Sequence, residues 1–497
     1  MRTPEAGPTL RLRPERLHGM RSTMPRRAVI VSVLVCACGS LADAPSSTLP
    51  RDGADASTDG DAGIDPRAGE PPYPGTCRPW PDTAEAIPIA PVPAGVVADF
   101  AVRGRYASTA IAPNGDAALA WQVDAQLHTR LFRGSNWLDV ETIVTAGRHG
   151  DLGDRASKVA MRPDGSLFVA YDLPSKARRI VCAREREQTG VWSSPSTLTE
   201  TGIGWWQEPQ WPAFELASDR SGNVTALVRV LSDPPDLPTT GLLAFRVDAR
   251  SHHFDGPHVL TTDPPDRMPL AVTDGEAFAV WARGWSDSRA QAAAFTEEAG
   301  WKDALPPSLG AYVLSATAER DGSVSVLGAR RVDEMYRIET ARRRPDGTWA
   351  APFELGAVSD LSSAQLVAGD TGQAFATWTT WSRDCTLTAN IVRRDTSGTW
   401  SSETIPGAPA NAKVIDAIAL SESGHALIAW RPLDRDGKSC HAGASHLSWL
   451  SPSGVWSPPV PLSSGTLVGP PLLTSAGRAL VAWHYDDLVL VRWIDPP

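Results

Sequence analysis

One module recurs eight times along the chain, and this repetition constrains the fold more than any other feature of the sequence. Each copy has a glycine turn followed by a short apolar strand, and the turns stand on average about 52 residues apart. The turn glycines are Gly115, Gly165, Gly222, Gly275, Gly322, Gly372, Gly424 and Gly477. Six positions later most copies have an aromatic residue: Trp121, Tyr171, Trp281, Trp378, Trp430 and Trp483. Such a repeat indicates one unit stacked on its neighbours, because a single unit cannot bury its own apolar faces.

Each copy divides into four short strands, A to D. Strand A ends at a turn such as Pro113–Gly115, where Asn or Asp before Gly is expected to permit the positive φ of a tight hairpin. Strand B is an unbroken apolar run such as AALAW, which predicts burial on both faces. Strand C carries arginines, namely Arg130, Arg246, Arg342 and Arg393. Strand D begins with a Gly-x-Trp signal or a close variant, which supplies Trp137, Trp192, Trp301, Trp349, Trp400 and Trp456.

Four strands in about 52 residues match the size of a β-propeller blade. We therefore predict an all-β fold, an eight-bladed β-propeller of four-stranded blades that covers residues 73–497. The eighth copy has no strand D of its own, and Gly75–Ile89 resembles the strand D pattern. We expect this N-terminal strand to close the last blade, because an unpaired edge would invite aggregation. The alternative is an open stack of sheets.

Residues 1–37 are predicted to be a targeting segment and not part of the fold. Two arginines precede the apolar run Ala28–Val35, which leads into Val-Cys-Ala-Cys-Gly. This pattern resembles a bacterial lipoprotein signal peptide with Cys38 as the acylated residue, and the run is too short to span a membrane. The resemblance implies export and lipid anchoring, with the outer membrane favoured and Met20 or Met24 as the start of translation. An ordinary signal peptide or an uncleaved anchor is the alternative.

Residues 38–72 consist largely of Ala, Asp, Gly, Pro and Ser, so they bury too little apolar surface to fold and are predicted to form a disordered tether. The formal net charge is −10 and the repeats have no basic cluster, which disfavours a nucleic-acid partner. We predict a monomer that needs no cofactor. It would face the periplasm or the cell surface and contact the membrane only through its lipid anchor.

Four cysteines remain after the signal segment and the acylated residue, and export would place them in oxidising surroundings. Cys385 and Cys440 both fall between strands B and C of consecutive copies, so we predict that they form a disulfide. Cys182 lies in strand C of the second copy and could equally be a buried free thiol. The pairing of Cys77 and Cys182 is left open.

The loop segments divide into two classes, because the A–B and C–D turns lie at one end of a propeller and the B–C and D–A loops at the other. The repetitive turns belong to the first end, and the variable charged and aromatic segments belong to the second. Exposed Trp with Arg and Asp is the combination that carbohydrate or peptide recognition needs. The candidate ligand-binding residues are Trp205, Trp206, Glu208, Trp211, Arg283, Trp285, Asp287, Trp381, Arg383, Asp384, Arg431, Asp434, His484, Tyr485 and Asp486. The alternative is that these tryptophans fill gaps between blades and that the charges form surface ion pairs.

Catalytic and metal motifs are weak. The sequence has no HExxH, Gly-x-Ser-x-Gly, P-loop or paired CxxC motif. A metal-like group lies in or next to the C–D turn of the third copy, where we expect an exposed polar loop and no metal site. It consists of His252, His253, Asp255 and His258.

The C–D turns RPDGTW (Arg344–Trp349), DTSGTW (Asp395–Trp400) and SPSGVW (Ser451–Trp456) resemble a degenerate Asp-box, the mark of the sialidase-like propellers. The chain is also similar to Trp-rich repeat proteins of secreted bacterial proteomes. A sialidase would need an arginine triad and a Tyr–Glu nucleophile pair. The sequence has no Arg-Ile-Pro segment near the first blade and offers only Tyr485 beside Asp486.

We therefore assign no catalytic residue and predict a non-catalytic binding or scaffold propeller for a glycan or protein. The alternative is a glycoside hydrolase or lyase of the sialidase-like propeller type. Its carboxyl pair would come from Glu208, Asp287, Asp384, Asp434 and Asp486. We expect these carboxyls to be too far apart for hydrolysis, which requires a separation of about 5 to 9.5 Å.

Overall fold

The described residues are all strands, turns and connecting segments. A computed structural model of the chain describes residues 77, 89–123, 126–145, 157–175, 178–202, 214–231, 241–282, 290–304, 309, 312–361, 363–381, 387–405, 407, 413–436, 439–462 and 465–497. The predicted signal segment and tether, including Cys38, lie outside these ranges. Within the described ranges, no helix is long and apolar enough to cross a membrane.

An N-terminal strand, β1 (Phe100–Arg103), precedes four consecutive blades. The first blade contains β2 (Arg105–Ile111), β3 (Ala117–Val123), β4 (Gln126–Arg133), β5 (Asn136–Trp137) and β6 (Glu141–Thr145). The second contains β7 (Ser157–Met161), β8 (Leu167–Ser175), β9 (Arg178–Arg186) and β10 (Ser196–Gly202). The third contains β11 (Phe214–Ser218), β12 (Val224–Val230), β13 (Gly241–Val247) and β14 (Asp255–Thr261). The fourth contains β15 (Leu270–Thr273), β16 (Glu276–Trp281), β17 (Gln291–Thr296) and β18 (Gly300–Asp303).

The second half of the chain repeats the pattern. The fifth blade contains β19 (Tyr312–Ala318), β20 (Val324–Val332), β21 (Met335–Arg343) and β22 (Phe353–Val358). The sixth contains β23 (Ser363–Ala368), β24 (Ala374–Trp381), β25 (Leu387–Arg394) and β26 (Trp400–Ser402). The seventh contains β27 (Lys413–Leu420), β28 (Ala426–Asp436), β29 (Ser439–Ala442), β30 (His446–Leu450) and β31 (Val460–Pro461). The eighth contains β32 (Leu472–Leu473), β33 (Ala479–Tyr485) and β34 (Leu488–Ile494).

Each blade is an antiparallel sheet with its strands in the order A, B, C, D, and the eight sheets form a ring. The predicted eight-bladed β-propeller is confirmed. Strand B is buried on both faces as predicted, since Ala117–Trp121 is at most 1% exposed. Its alternate side chains enter the apolar clusters on either side of the blade. Trp121, for example, packs with Leu480 and Val491 of the eighth blade. Each such fully buried large side chain contributes roughly 1.5–3 kcal/mol relative to its exposure to water.

Seven of the eight A–B turns share one hydrogen-bond arrangement, and the fourth blade has a two-residue turn between Thr273 and Glu276 instead. In the first blade the N–H of Gly115 donates to the carbonyl of Ala112 at 2.9 Å, and the N–H of Ala112 donates to the carbonyl of Asp116 at 2.8 Å. The glycine itself takes the positive φ, +88° in Gly115. The preceding residue has a different role from the one expected, because the Asn114 side chain accepts the N–H of Asp116 at 2.9 Å. Asn or Asp is therefore selected here for side-chain capping of the turn.

The strand that completes the eighth blade differs from the predicted one. β1 pairs antiparallel with β34, with Phe100 opposite Val491 and Arg103 opposite Leu488. The prediction that Gly75–Ile89 supplies this strand is wrong. Phe100 and Val102 fill the apolar cluster between the first and eighth blades, whereas the predicted segment contains three prolines that cannot donate a ladder hydrogen bond.

A disulfide joins Cys77 to Cys182 in β9, with a Cα–Cα distance of 6.0 Å. The N–H of Cys77 also donates to Thr197 Oγ1 of β10 at 3.0 Å. The alternative that Cys182 is a free thiol is therefore wrong. The predicted Cys385–Cys440 pair stays a prediction, since Cys385 and the side chain of Cys440 lie outside the described residues.

Candidate functional site

The predicted B–C and D–A site falls mainly outside the part of the chain that the structure describes. The residues outside it are Trp205, Trp206, Glu208, Trp211, Arg283, Trp285, Asp287, Arg383 and Asp384. Trp381 ends β24 and Asp434 lies in β28, but their side chains are likewise not described. The four candidates with described side chains are Arg431, His484, Tyr485 and Asp486.

Arg431 forms a buried, two-pronged ion pair with Asp416. Its Nε and Nη2 atoms each lie 2.7 Å from a carboxylate oxygen of Asp416, which sits at an irregularity of β27. Burial raises the pKa of Asp416, and the charge and hydrogen bonds of Arg431 oppose that rise. Because both partners are removed from water, the pair joins β27 to β28 and is costly to break from either side.

His484, Tyr485 and Asp486 occupy the B–C end of the eighth blade. His484 donates its N–H to the carbonyl of Thr466 at 2.7 Å. Tyr485 ends β33, and Asp486 follows in an exposed turn with a φ of +53°. Asp486 is the one hydrolase candidate whose side chain is described, so the predicted separation of the carboxyls stays a prediction.

A periodic polar position at this end went unrecognised in the sequence. The residue seven positions after each turn glycine lies near the end of strand B, directly after the buried aromatic in six of the eight blades. It is polar in six blades: Gln122, Asp172, Arg229, Thr379, Arg431 and His484. Asp172 and Thr379 are each 1% exposed, and none of the six is without a partner. The repeat spacing alone could have identified this set of residues, which lies at the end of strand B where the B–C segments begin.

At the opposite end, an arginine connects blades that face each other across the ring. Arg220 belongs to the A–B turn of the third blade. Its Nη2 atom lies 2.5 and 2.6 Å from the oxygens of Asp370 in the sixth blade, and 2.9 Å from Glu422 in the seventh. Burial would lower the pKa of Arg220, but the hydrogen bond to Asp370 and the acidic charges raise it. The central opening is therefore bridged by charged groups at the A–B end.

The metal-like histidine group of the third blade is distributed over separate contacts. His252 Nδ1 lies 2.7 Å from Glu185, whose other oxygen pairs with the buried Arg162 at 2.9 Å. His258 Nε2 lies 3.3 Å from Asp255. Over the described ranges, no three His, Cys, Asp or Glu side chains are placed to hold a metal ion.

No protein-family model and no curated protein matches the sequence. Among solved structures, the Hadza microbial sialidase Hz136 aligns at 13% identity over 75% of this chain and 74% of its own, with a TM-score of 0.37. An ulvan lyase, a polysaccharide lyase, aligns at 10% identity over 68% and 91%, with a TM-score of 0.39. AofleA from Arthrobotrys oligospora aligns at 12% identity over 61% and 87%, with a TM-score of 0.33. At these values no activity is carried over.

Proposed function

We propose that this protein is a non-catalytic binding or scaffold propeller that recognises a glycan or a protein through its B–C and D–A loops. The observation that carries the proposal is the difference between the two ends of the ring. The A–B end consists of short turns, seven of which share one hydrogen-bond pattern, and Arg220 connects three of the blades there. At the other end the structure describes the extended hairpin of β28 and β29, and the sequence puts its variable aromatic and charged segments between strands B and C or between D and A. Recognition is commonly built on such variable loops over a rigid scaffold.

The hairpin of the seventh blade supports this choice. β28 continues past Trp430 to Asp436 and pairs with β29, with Leu433 opposite Ala442 and Asp436 opposite Ser439. This extension adds no pairing to the blade itself, whose third strand is β30. An added, regular hairpin at one end extends the surface available to a partner.

Three of the described buried carboxylates form ion pairs within the fold. Glu185, Glu319 and Asp416 each have an arginine partner at 2.9 Å or closer. Such pairs connect neighbouring strands and are costly to break from either side. These three acids therefore have structural roles, and none of them is proposed as a general acid.

A binding screen and a turnover screen on the same sample test the proposal. Purified protein is applied to a glycan array and, in parallel, to a fluorogenic glycoside panel and a lyase assay. We expect binding without turnover, and loss of binding in Trp285→Ala. Val455→Ala, at an exposed C–D turn of the opposite end, is the matched control. Turnover would contradict the non-catalytic function. Absence of both glycan binding and turnover would leave a protein as the partner.

The proposal includes a membrane tether through Cys38, with the propeller as a monomer in the periplasm or at the surface. Its support is the sequence pattern before Cys38 and the composition of residues 38–72. Cys38→Ser is expected to move the protein from the membrane fraction to the soluble fraction in an export-competent bacterial host. Unchanged membrane partition would contradict acylation at this residue.

A further inference from the structure

A polar cavity of about 530 Å³ lies between the fifth and sixth blades, at the A–B and C–D end. Its walls come from the A–B turns of both blades and from the start of β22 and β26. This is the end opposite to the loops that the proposed function uses. The volume is within the range of small-ligand pockets.

The acceptor groups of this cavity are occupied. Buried Glu319 accepts hydrogen bonds from Arg342 at 2.8 Å and from Ser325 at 2.6 Å, and Arg394 lies 2.8 Å away. Both oxygens of Asp370 lie within 2.6 Å of Arg220 Nη2. Glu319 and Asp370 are therefore committed to protein partners and are poor acceptors for a ligand. The third lining carboxylate, Asp321, accepts a hydrogen bond from Arg342 at 2.7 Å and is 55% exposed.

Donor groups remain. Arg342 is held through Nε and Nη2, so its Nη1 atom has no hydrogen-bond acceptor among the described residues. Its guanidinium is fixed in place by Glu319 and is still 37% exposed. Arg320 is 69% exposed, and its contact with Asp370 is a long one of 3.9 Å. Two guanidiniums with unused N–H groups thus face one cavity, which is the arrangement that binds a carboxylate or a sulfate.

Aromatic and hydroxyl groups complete the lining. Phe353 of the fifth blade is 51% exposed, and the half-buried Trp400 stands on the sixth blade. Thr371 and Thr396 add hydroxyl groups. An aromatic side chain on each wall suits the apolar faces of a sugar ring, and the hydroxyls suit its polar rim.

We infer that this cavity is a second binding site, for a saccharide unit that carries one carboxylate or sulfate group. The unused donors of Arg320 and Arg342 can bind one anionic group, whereas the carboxylate of Asp321 beside Arg342 would repel a second. A long polyanion would be repelled by the formal net charge of −10. The site is separate from the proposed loop site at the other end, so either one can fail without the other.

Calorimetric titration of the full chain tests this site with three glycosides of one sugar. They are the methyl uronide, which carries one carboxylate, the methyl glycoside with one sulfate group, and the neutral methyl glycoside. We expect one or both charged ligands to bind at least about tenfold more tightly than the neutral one, since a charge-assisted hydrogen bond contributes about 1.5–3 kcal/mol. The two charged arms decide between carboxylate and sulfate. Absence of binding by both charged ligands, or equal binding of all three, would overturn the inference.

Variants separate the cavity from general electrostatics. Arg320→Gln is expected to weaken the charged ligand about tenfold. Arg331 is exposed at the B–C end of the same blade. Arg331→Gln removes the same charge and should leave the affinity for the charged ligand within about twofold of wild type. Phe353→Ala should weaken all three glycosides by a similar factor because it removes contact with the ring. Equal losses in Arg320→Gln and Arg331→Gln would overturn the assignment. Trp285→Ala, which tests the loop site, should leave this titration unchanged.

Discussion

Removal of the Cys77–Cys182 disulfide should destabilise the propeller strongly. The bond closes a loop with a sequence separation of 105 residues, which contains β1, the whole first blade and much of the second. In the chain-entropy model, a loop of this length lowers the entropy of the unfolded chain enough to stabilise the fold by about 4–5 kcal/mol. We therefore expect Cys77→Ser/Cys182→Ser to lose about that amount in free energy of unfolding.

The loss should also be visible locally at β1. This strand has four residues, pairs only with β34, and is held from its N-terminal side by Ala90, which bridges to Ala101. Without the disulfide, residue 77 keeps only its backbone hydrogen bond to Thr197 of the second blade, so the segment before β1 has one attachment fewer. Amide hydrogen exchange in Phe100–Arg103 should then accelerate more than in β16 of the fourth blade, which is remote from the bond.

Urea denaturation followed by tryptophan fluorescence gives the free energy, and exchange with mass spectrometry gives the local effect. Wild-type protein treated with a reductant is the control, and it is compared with the double variant treated in the same way, because the predicted Cys385–Cys440 bond is then reduced in both. The two reduced proteins should match. A loss below about 1 kcal/mol, with unchanged exchange in β1, would refute the loop-entropy reasoning.

Three further outcomes are expected. Burial lowers the pKa of His128 from 6.5 to about 4, so its contribution to stability is full above pH 6.5 and is lost as the pH falls toward 4. Between pH 7 and pH 5 the free energy of unfolding, measured by urea denaturation, should fall by about 2 kcal/mol. This pH-dependent loss should be absent in His128→Gln. Arg220→Gln leaves Asp370, 11% exposed, without its close cation and should cost about 2 kcal/mol, against near zero for exposed Arg250→Gln. In Gly465→Ala the new Cβ would overlap the carbonyl of His484, so its melting temperature should fall well below that of Gly115→Ala, where no atom lies within 4 Å. The first expectation would be contradicted if wild-type protein and His128→Gln lost the same stability between pH 7 and pH 5. The second would be contradicted by equal costs of Arg220→Gln and Arg250→Gln, and the third by equal melting temperatures of the two glycine variants.

The fold was predictable because its determinants recur with the period. The turn glycine recurs in all eight blades and the aromatic six residues later in six of them, so weak signals from single copies combine into one strong one. The closing strand was not predictable in the same way. Phe100–Arg103 is selected by the shape of the cavity between the first and eighth blades, which depends on residues almost 400 positions away, and it carries no Gly-x-Trp pattern.

The candidate site likewise contains residues that the sequence identified and residues that it did not. Arg431 and His484 were identified because they are conspicuous residues in variable loops, whereas Gln122, Asp172 and Arg229 hold the same position in other blades and were missed. The Arg220 bridge could not be inferred from sequence at all. Its partners lie 150 and 202 residues away, and each occupies a turn that looks ordinary in its own repeat.

Function in a propeller must reside where the blades differ, because features shared by every blade serve the ring itself. Two departures from the period stand out among the described residues. One is the hairpin of β28 and β29, which extends the B–C end of a single blade. The other is the fifth-to-sixth blade cavity, where Arg320 and Arg342 retain donors that the protein does not use. Because the departures lie at opposite ends of a rigid ring, a ligand at each can be bound at the same time, and the variants Trp285→Ala and Arg320→Gln should act independently.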